Sequence, residues 1–293
     1  MANLKEVRNR ITSVNSTMQI TSAMKMVSAA KLRKATDRII QMRPYANKQN
    51  EILSSLSGSL DNSENVFAAG SEGKKVLLVL INSNRGLCGG FNANVIKAAK
   101  KQIVESTNGA GFKVITVGKK AFDAFRKSDN LLRDHAISAD NHTLYDDLNF
   151  TAASELPISI MDAYANGDFD KVVLIYNQFK NAATQLVQVE QLLPIETEKA
   201  EGSKSSSDYI FEPSKKEIVE NLIPKSLKTQ FYKAVLDSNA SEHGARMTAM
   251  HKATENAGDM LSALKLSYNK ARQAAITTEI LEIVGGAAAL DDA

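Results

Sequence analysis

From the start of the chain, Leu4, Val7, Ile11, Val14, Met18, Thr21 and Met24 recur at alternating steps of three and four, the spacing of a heptad seam on one side of a helix. No proline interrupts the pattern before Pro44, and helical character runs to about Leu56, where the turn-rich stretch GSLDNSENVFAAGSEGK closes it. A second seam occupies the last third: Ala240, His243, Met247, Met250, Thr254, Ala257, Leu261, Leu264, Tyr268, Ala271 and Ala275 follow the same alternation. Pro224 suits the first turn of that helix, where its missing N–H costs nothing. A helix from Lys225 to Val284 would be about 90 Å long at 1.5 Å per residue, more than a single-domain core can cover. Small residues dominate the second seam, so a partner helix can approach closely. The first helix is the expected mate, parallel or antiparallel.

Pairing the two ends requires a folded middle, because closing so long a flexible loop costs entropy with nothing to offset it. The middle reads as a buried strand at KVLLVLIN, a helix at FNANVIKAAKKQIVE and a second strand at KVITVG. A short helix near AFDAFRK, a longer one over LYDDLNFTAASELPISIMDAYAN, and two strands, KVVLIYNQF and TQLVQVEQLL, follow. Strands alternating with helices predict a mostly parallel sheet with helices against it. The expected fold class is therefore α/β: a long coiled coil of N- and C-terminal helices plus a central Rossmann-like domain. Its boundaries fall at 1–58 for the first helix, 75–195 for the α/β domain and 213–293 for the second helix. The polar stretch ETEKAEGSKSSSD is expected to be a loop.

Charge alters this picture at one end. The net charge over 293 residues is only +3, yet residues 1–43 carry Lys5, Arg8, Arg10, Lys25, Lys31, Arg33, Lys34, Arg38 and Arg43 against Glu6 and Asp37. A helix that pairs with one mate needs a single apolar stripe, whereas Met26 and Leu32 add apolar surface off the seam, which implies a further contact. No apolar run approaches the roughly 18–20 residues of a membrane span, and MANLKEVRNR lacks the apolar core of a secretory signal. Any membrane association is expected to be peripheral.

Candidate chemistry is sparse. The single cysteine, Cys88, excludes an internal disulfide and reads as a small buried apolar residue, with no histidine near it in sequence to activate it. His135, His142, His243 and His251 show no metal-ligand spacing and are expected in surface or capping roles. Asp146 and Asp147 read as helix-start residues. The glycine-rich NSNRGLCGGFN lies between a strand and its helix, where a phosphate could be held. It matches neither GxxxxGK[ST] nor GxGxxG, and the second strand ends in Gly118 and Lys119 with no acidic ribose ligand. A tight structural turn is the better reading, and no cofactor, metal or catalytic site is expected.

The segments ITSVNSTMQITSAMKMVSAAKLRKA, RGLCGGFN, ASEHGARMTAM and YNKARQAAITTEILEIVGGAAA resemble the gamma subunit of the F-type ATP synthase, over essentially the whole chain. Ile276, Thr277, Glu279, Glu282, Gly286 and Ala287 fit that family's C-terminal signature. The resemblance implies a non-catalytic rotor shaft standing inside a ring of alpha and beta subunits. The α/β domain would then lie near the epsilon subunit and the c-subunit ring, on the cytoplasmic face of a bacterial membrane. It implies no nucleic-acid partner. By the same resemblance Met24, Lys25, Glu242 and Arg246 fall where the shaft meets the lower parts of the beta subunits. Arg272, Gln273 and Thr277 fall at the upper contact, and Tyr209 and Phe211 at the foot. Glu242 and Arg246 lie one turn apart. They are expected as an exposed pair worth only about 0.3–0.5 kcal/mol that also contacts partner loops, so that Arg246→Ala would barely change the helix but would impair coupling. The resemblance also accounts for the apolar tip ITTEILEIVGGAAAL, which an apolar sleeve in the ring would cover.

Overall fold

The computed structural model describes residues 4–57, 67, 74–105, 111–195 and 215–291. Two compact units emerge, one of Met1–Ser28 with Met247–Ala293, the other of Ala29–Arg246. Two helices contribute to both: α1 spans Leu4–Ser57 and α5 spans Lys215–Asp291.

In the first unit the two predicted seams face each other. Every seam position of α1 from Leu4 to Met24 is buried or half-buried, as is every one of α5 from Met247 to Ala275. Arg8 Nη2 donates to the Tyr268 hydroxyl at 2.8 Å, Thr254 Oγ1 to Thr21 Oγ1 at 2.9 Å, and Lys25 Nζ lies 3.3 Å from His251 Nδ1. Numbers rise on one helix as they fall on the other, so the pairing is antiparallel. This register exhausts α1 first. Ala275 is the last half-buried seam residue, and residues 276–287 are all exposed.

The second unit is built on a four-stranded sheet in the order β2-β1-β3-β4, with β1 at Lys75–Ile81, β2 at Gly111–Val117, β3 at Lys171–Phe179 and β4 at Gln185–Leu193. β1 pairs in parallel with β2 and β3, and β3 pairs antiparallel with β4. The apolar run of β1 is buried from Val76 to Ile81, as a central strand covered on both faces requires. One face packs on α2 (Phe91–Glu105) and α3 (Lys119–Phe125) through Val95, Ala99, Ala121 and Phe125. The other packs on α4 (Phe150–Ala165) and α5 through Leu156, Ile160, Leu227 and Phe231.

Three local expectations change. α5 begins at Lys215, so Pro224 lies inside the helix and not in its first turn. The lost backbone hydrogen bond and ring clash cost about 3 kcal/mol. They are outweighed because Ile223, Leu227, Phe231 and Val235, at steps of four, are all buried in one core cluster. α4 starts at Phe150 because Asn149 Oδ1 accepts from the Ala152 N–H at 2.8 Å and caps it. Asp146 and Asp147 precede that cap and follow a short 3-10 turn at His142–Tyr145. Leu32, expected to face a further partner, packs within the unit against the cluster of Ala35, Ile39, Leu236 and Ala240, while Met26 remains 65% exposed.

Candidate functional site: the paired seam and the glycine-rich turn

The helix pair places four of the expected contact residues along its length and one more beyond it. Met24 and Lys25 are half-buried, Arg272, Gln273 and Thr277 are exposed, and Thr277 Oγ1 donates to the Gln273 carbonyl at 2.9 Å. Past the seam, Ile276, Ile280, Leu281, Ile283 and Val284 are 48–66% exposed. A run of large apolar side chains without a covering surface is a signature of a partner site. Tyr209 and Phe211, and the stretch ETEKAEGSKSSSD, lie outside the described residues.

In the other unit the chemistry gathers at the carboxyl ends of β1 and β3. The chain leaves β1 through α2 toward β2 on one side and returns through α4 to β3 on the other, so strand order reverses there. Open α/β sheets bind ligands in that crevice. Here α5 fills it. Ser238 Oγ donates to the Ile81 carbonyl at 3.3 Å and Ser241 Oγ to the Asn177 carbonyl at 3.0 Å, both buried. Arg43 Nη2, from α1, donates to the Phe179 carbonyl at 3.1 Å and pairs at 3.3 Å with Asp237 Oδ1. Gly244 permits this approach, since a Cβ there would come within 3.2 Å of the Ala182 carbonyl oxygen.

Glu242 and Arg246 are the largest departure from expectation. Both are 8% exposed. Arg246 Nη2 meets Glu242 Oε1 at 2.7 Å and the Arg85 carbonyl at 3.2 Å, while its Nε donates to the Gly86 carbonyl at 3.3 Å. The pair is thus a buried brace on the glycine-rich turn. Burial pushes the Glu242 carboxyl up, and the charge and hydrogen bond of Arg246, then Lys31 and Arg85, oppose that rise. The 0.3–0.5 kcal/mol expectation for an exposed pair does not apply, because removing one partner of a buried pair leaves an uncompensated charge and costs about 3–5 kcal/mol. The sequence carries the i, i+4 spacing but nothing about what covers it.

Within the turn, Asn92 Nδ2 donates to Cys88 Sγ at 3.1 Å and Ser83 Oγ to the Arg85 carbonyl at 2.6 Å. Cys88 is buried against Phe91 and Ala245. Burial pushes its thiol up, opposed by the Ser83 hydrogen bond and the Arg246 charge, so it is a packing residue and not an activated nucleophile. Among the described residues no cluster of His, Cys, Asp or Glu could hold a metal, and no helix is long and apolar enough to cross a membrane.

His243, expected at the surface, is half-buried. Its imidazole is lowered from 6.5 to about 4, first by burial and then by the charges of Arg246 and Lys31. The unfolded chain therefore binds the extra proton first as pH falls. The stability gained by keeping His243 neutral is complete above about pH 6.5 and disappears toward pH 4. Lowering pH from 7 to 5 should cost about 2 kcal/mol through this group. Thermal melts of the wild type and of His243→Gln at both pH values check this: the variant should lose less on acidification, and equal losses would refute it.

Comparison with known proteins agrees along the whole length. A family model described as ATP synthase matches residues 3–290. The ATP synthase gamma chain of Flavobacterium johnsoniae is 58% identical, with 99% of this chain and 100% of that protein covered. That of Chlorobium limicola is 47% identical, with 99% of each covered. Among solved structures, the chain is similar to one in the Tetrahymena thermophila mitochondrial ATP synthase central stalk and c-ring, at 25% identity and TM-score 0.56. That match covers 80% of this chain and 99% of the other. The rotor of the Euglena gracilis mitochondrial enzyme gives TM-score 0.62 at 24% identity, covering 93% and 98%. With antiparallel terminal helices, an α/β sheet between them in sequence and this full-length likeness, the chain belongs to the ATP synthase gamma-chain family.

Proposed function

We propose that this chain is the central rotor shaft of an F-type ATP synthase, carrying no catalytic site of its own. Ion-driven rotation of a c-subunit ring turns it, and its asymmetric helices present a different face to each of three catalytic sites in a surrounding ring of alpha and beta subunits. A shaft can drive such sites only by interacting differently with their conformations. The observation that carries this reading is the antiparallel register, which leaves the apolar segment 276–287 exposed beyond the end of α1. Such a tip suits an apolar sleeve.

Met24 and Lys25 would meet the lower parts of the beta subunits, and Arg272, Gln273 and Thr277 a beta-subunit loop higher up. Tyr209 and Phe211 would meet the epsilon subunit and c-ring at the cytoplasmic face of the membrane. Glu242 and Arg246 serve the lower contact from beneath the turn they brace. An affinity tag on this chain should recover alpha, beta, epsilon and c subunits from solubilised membranes; recovery of the chain alone would sink the proposal. Because α5 occupies the crevice where such sheets bind nucleotides, calorimetry with ATP and the chain without its partners should give no binding heat. Micromolar binding would overturn the non-catalytic part.

A further inference from the structure

Within the unit of Ala29–Arg246, α1 and α5 are held in different ways. α5 is fixed to the sheet by bonds that have direction. Ser238 and Ser241 reach the carbonyls of Ile81 and Asn177, and Gln230 Nε2 donates to Glu190 Oε1 at 2.7 Å and to the Gln191 carbonyl at 3.3 Å. α1 contributes Leu32, Ala35, Ile39 and Met42 to an apolar cluster with Leu236, Ala240 and Tyr232 of α5. These α1 positions recur at steps of three and four, so a slide by one heptad brings apolar onto apolar again. Apolar contact is also non-directional. It holds two helices together without fixing how far one has slid or turned against the other.

Arg43, the next residue after Met42, supplies the direction. Its Nη2 donates to the Phe179 carbonyl at the end of β3, at 3.1 Å, and to Asp237 Oδ1 on α5, at 3.3 Å. One guanidinium thus ties α1 to the other shaft helix and to the sheet. The Asp237 side chain is 1% exposed, against 42% for Arg43. Burial pushes the Asp237 carboxyl up, and the charge and hydrogen bond of Arg43, then Lys233 and the Phe179 backbone, oppose that rise.

We propose that Arg43 is a positioning residue for coupling: acting through Asp237 and the Phe179 carbonyl, it sets the register of α1 on α5, so that α1 turns with α5 and the sheet. Specifying register is the best-attested use of a buried polar group between helices. The proposal rests on the rotor reading.

The test separates register from stability, because replacing a buried pair by packed apolar side chains is often neutral or stabilising. A synthase carrying Arg43→Met with Asp237→Leu should melt no earlier than the wild type. If it does not assemble, Arg43→Met with Asp237→Asn takes its place. In sealed vesicles, ions pumped are followed with a pH-sensitive dye and a sodium tracer while ATP is consumed. Hydrolysis without pumping should rise roughly tenfold, equivalent to about 1.4 kcal/mol. Register is read by double electron–electron resonance between spin labels at Ile40→Cys and Val104→Cys, both well exposed, in a synthase otherwise free of cysteine. One distance is expected with Arg43 and Asp237 in place, and a broadened or second distance in the variant.

A stable variant that pumps like the wild type would show that the pair is structural only. Lost pumping at an unchanged distance would mean that Arg43 acts by some other route, and a broadened distance with intact pumping would mean that register does not matter. Early melting in both double variants would reduce the effect to lost stability. Each of these overturns the proposal. A wild-type complex that hydrolyses ATP without pumping would instead overturn the rotor reading, while the distance still decides whether Arg43 sets the register.

Discussion

In a Cys88→Ser background, oxidative crosslinking of a Leu266→Cys shaft to a cysteine placed on the surrounding ring stops multisite ATP hydrolysis until the bond is reduced. The rate should fall at least roughly tenfold, equivalent to about 1.4 kcal/mol on the limiting barrier. Leu266 suits this test because it is 58% exposed on α5, yet two residues away Tyr268 is tied to α1 by the Arg8 hydrogen bond and by the guanidinium 5.7 Å from its ring centroid. Swivelling at that point would break many seam contacts at once. A tether at Ala288 is weaker, since helix ends fray and only a few backbone bonds of about 1 kcal/mol each hold the tip. A fully crosslinked Leu266→Cys complex that hydrolyses ATP at the reduced rate, with pumping intact, would show that this helix is not a rigid turning shaft.

Gly118→Ala, the addition of a single methyl group, should cause a large loss of stability. Gly118 follows β2 directly at φ 119, and a Cβ there would lie 2.2 Å from the carbonyl oxygen of Asn82 at the end of β1. The neighbouring backbone cannot yield, because the Asn82 N–H donates to the Val117 carbonyl at 2.8 Å. Strain and overpacking together should cost roughly 3–5 kcal/mol. Gly167→Ala is the control: φ is 79 but nothing lies within 4 Å of the added carbon, so only the conformational cost of about 1–2 kcal/mol remains. Denaturant unfolding of the complex or the chain separates the two. Equal losses would mean that the approach to Asn82 is not what demands glycine at 118.

Much of the architecture is legible in local patterning. The three-four alternation marks the seams, and the apolar runs and their breaks place α2 and all four strands to within two residues, because side-chain period is a property of neighbouring positions. The wrong glycine spacing likewise speaks against a nucleotide site. Where distant residues decide the outcome, sequence is silent or misleading. Pro224 reads as a helix start, since its effect on neighbours is local, while the burial of Ile223, Leu227 and Phe231 that carries the helix through it depends on the sheet they pack against.

The direction of the helix pair follows from contacts such as Arg8 with Tyr268, 260 residues apart, which no periodicity encodes. Leu32 reads as a partner contact from its place off the seam, but it packs against the cluster of Ala35, Ile39, Leu236 and Ala240. Glu242 and Arg246 show the division most clearly. Their spacing determined that they would pair; only the tertiary fold, by laying the turn 85–88 over them, decided that they would do so out of water. There a charge pair becomes a structural brace, because burial raises the cost of breaking it from tenths of a kcal/mol to several.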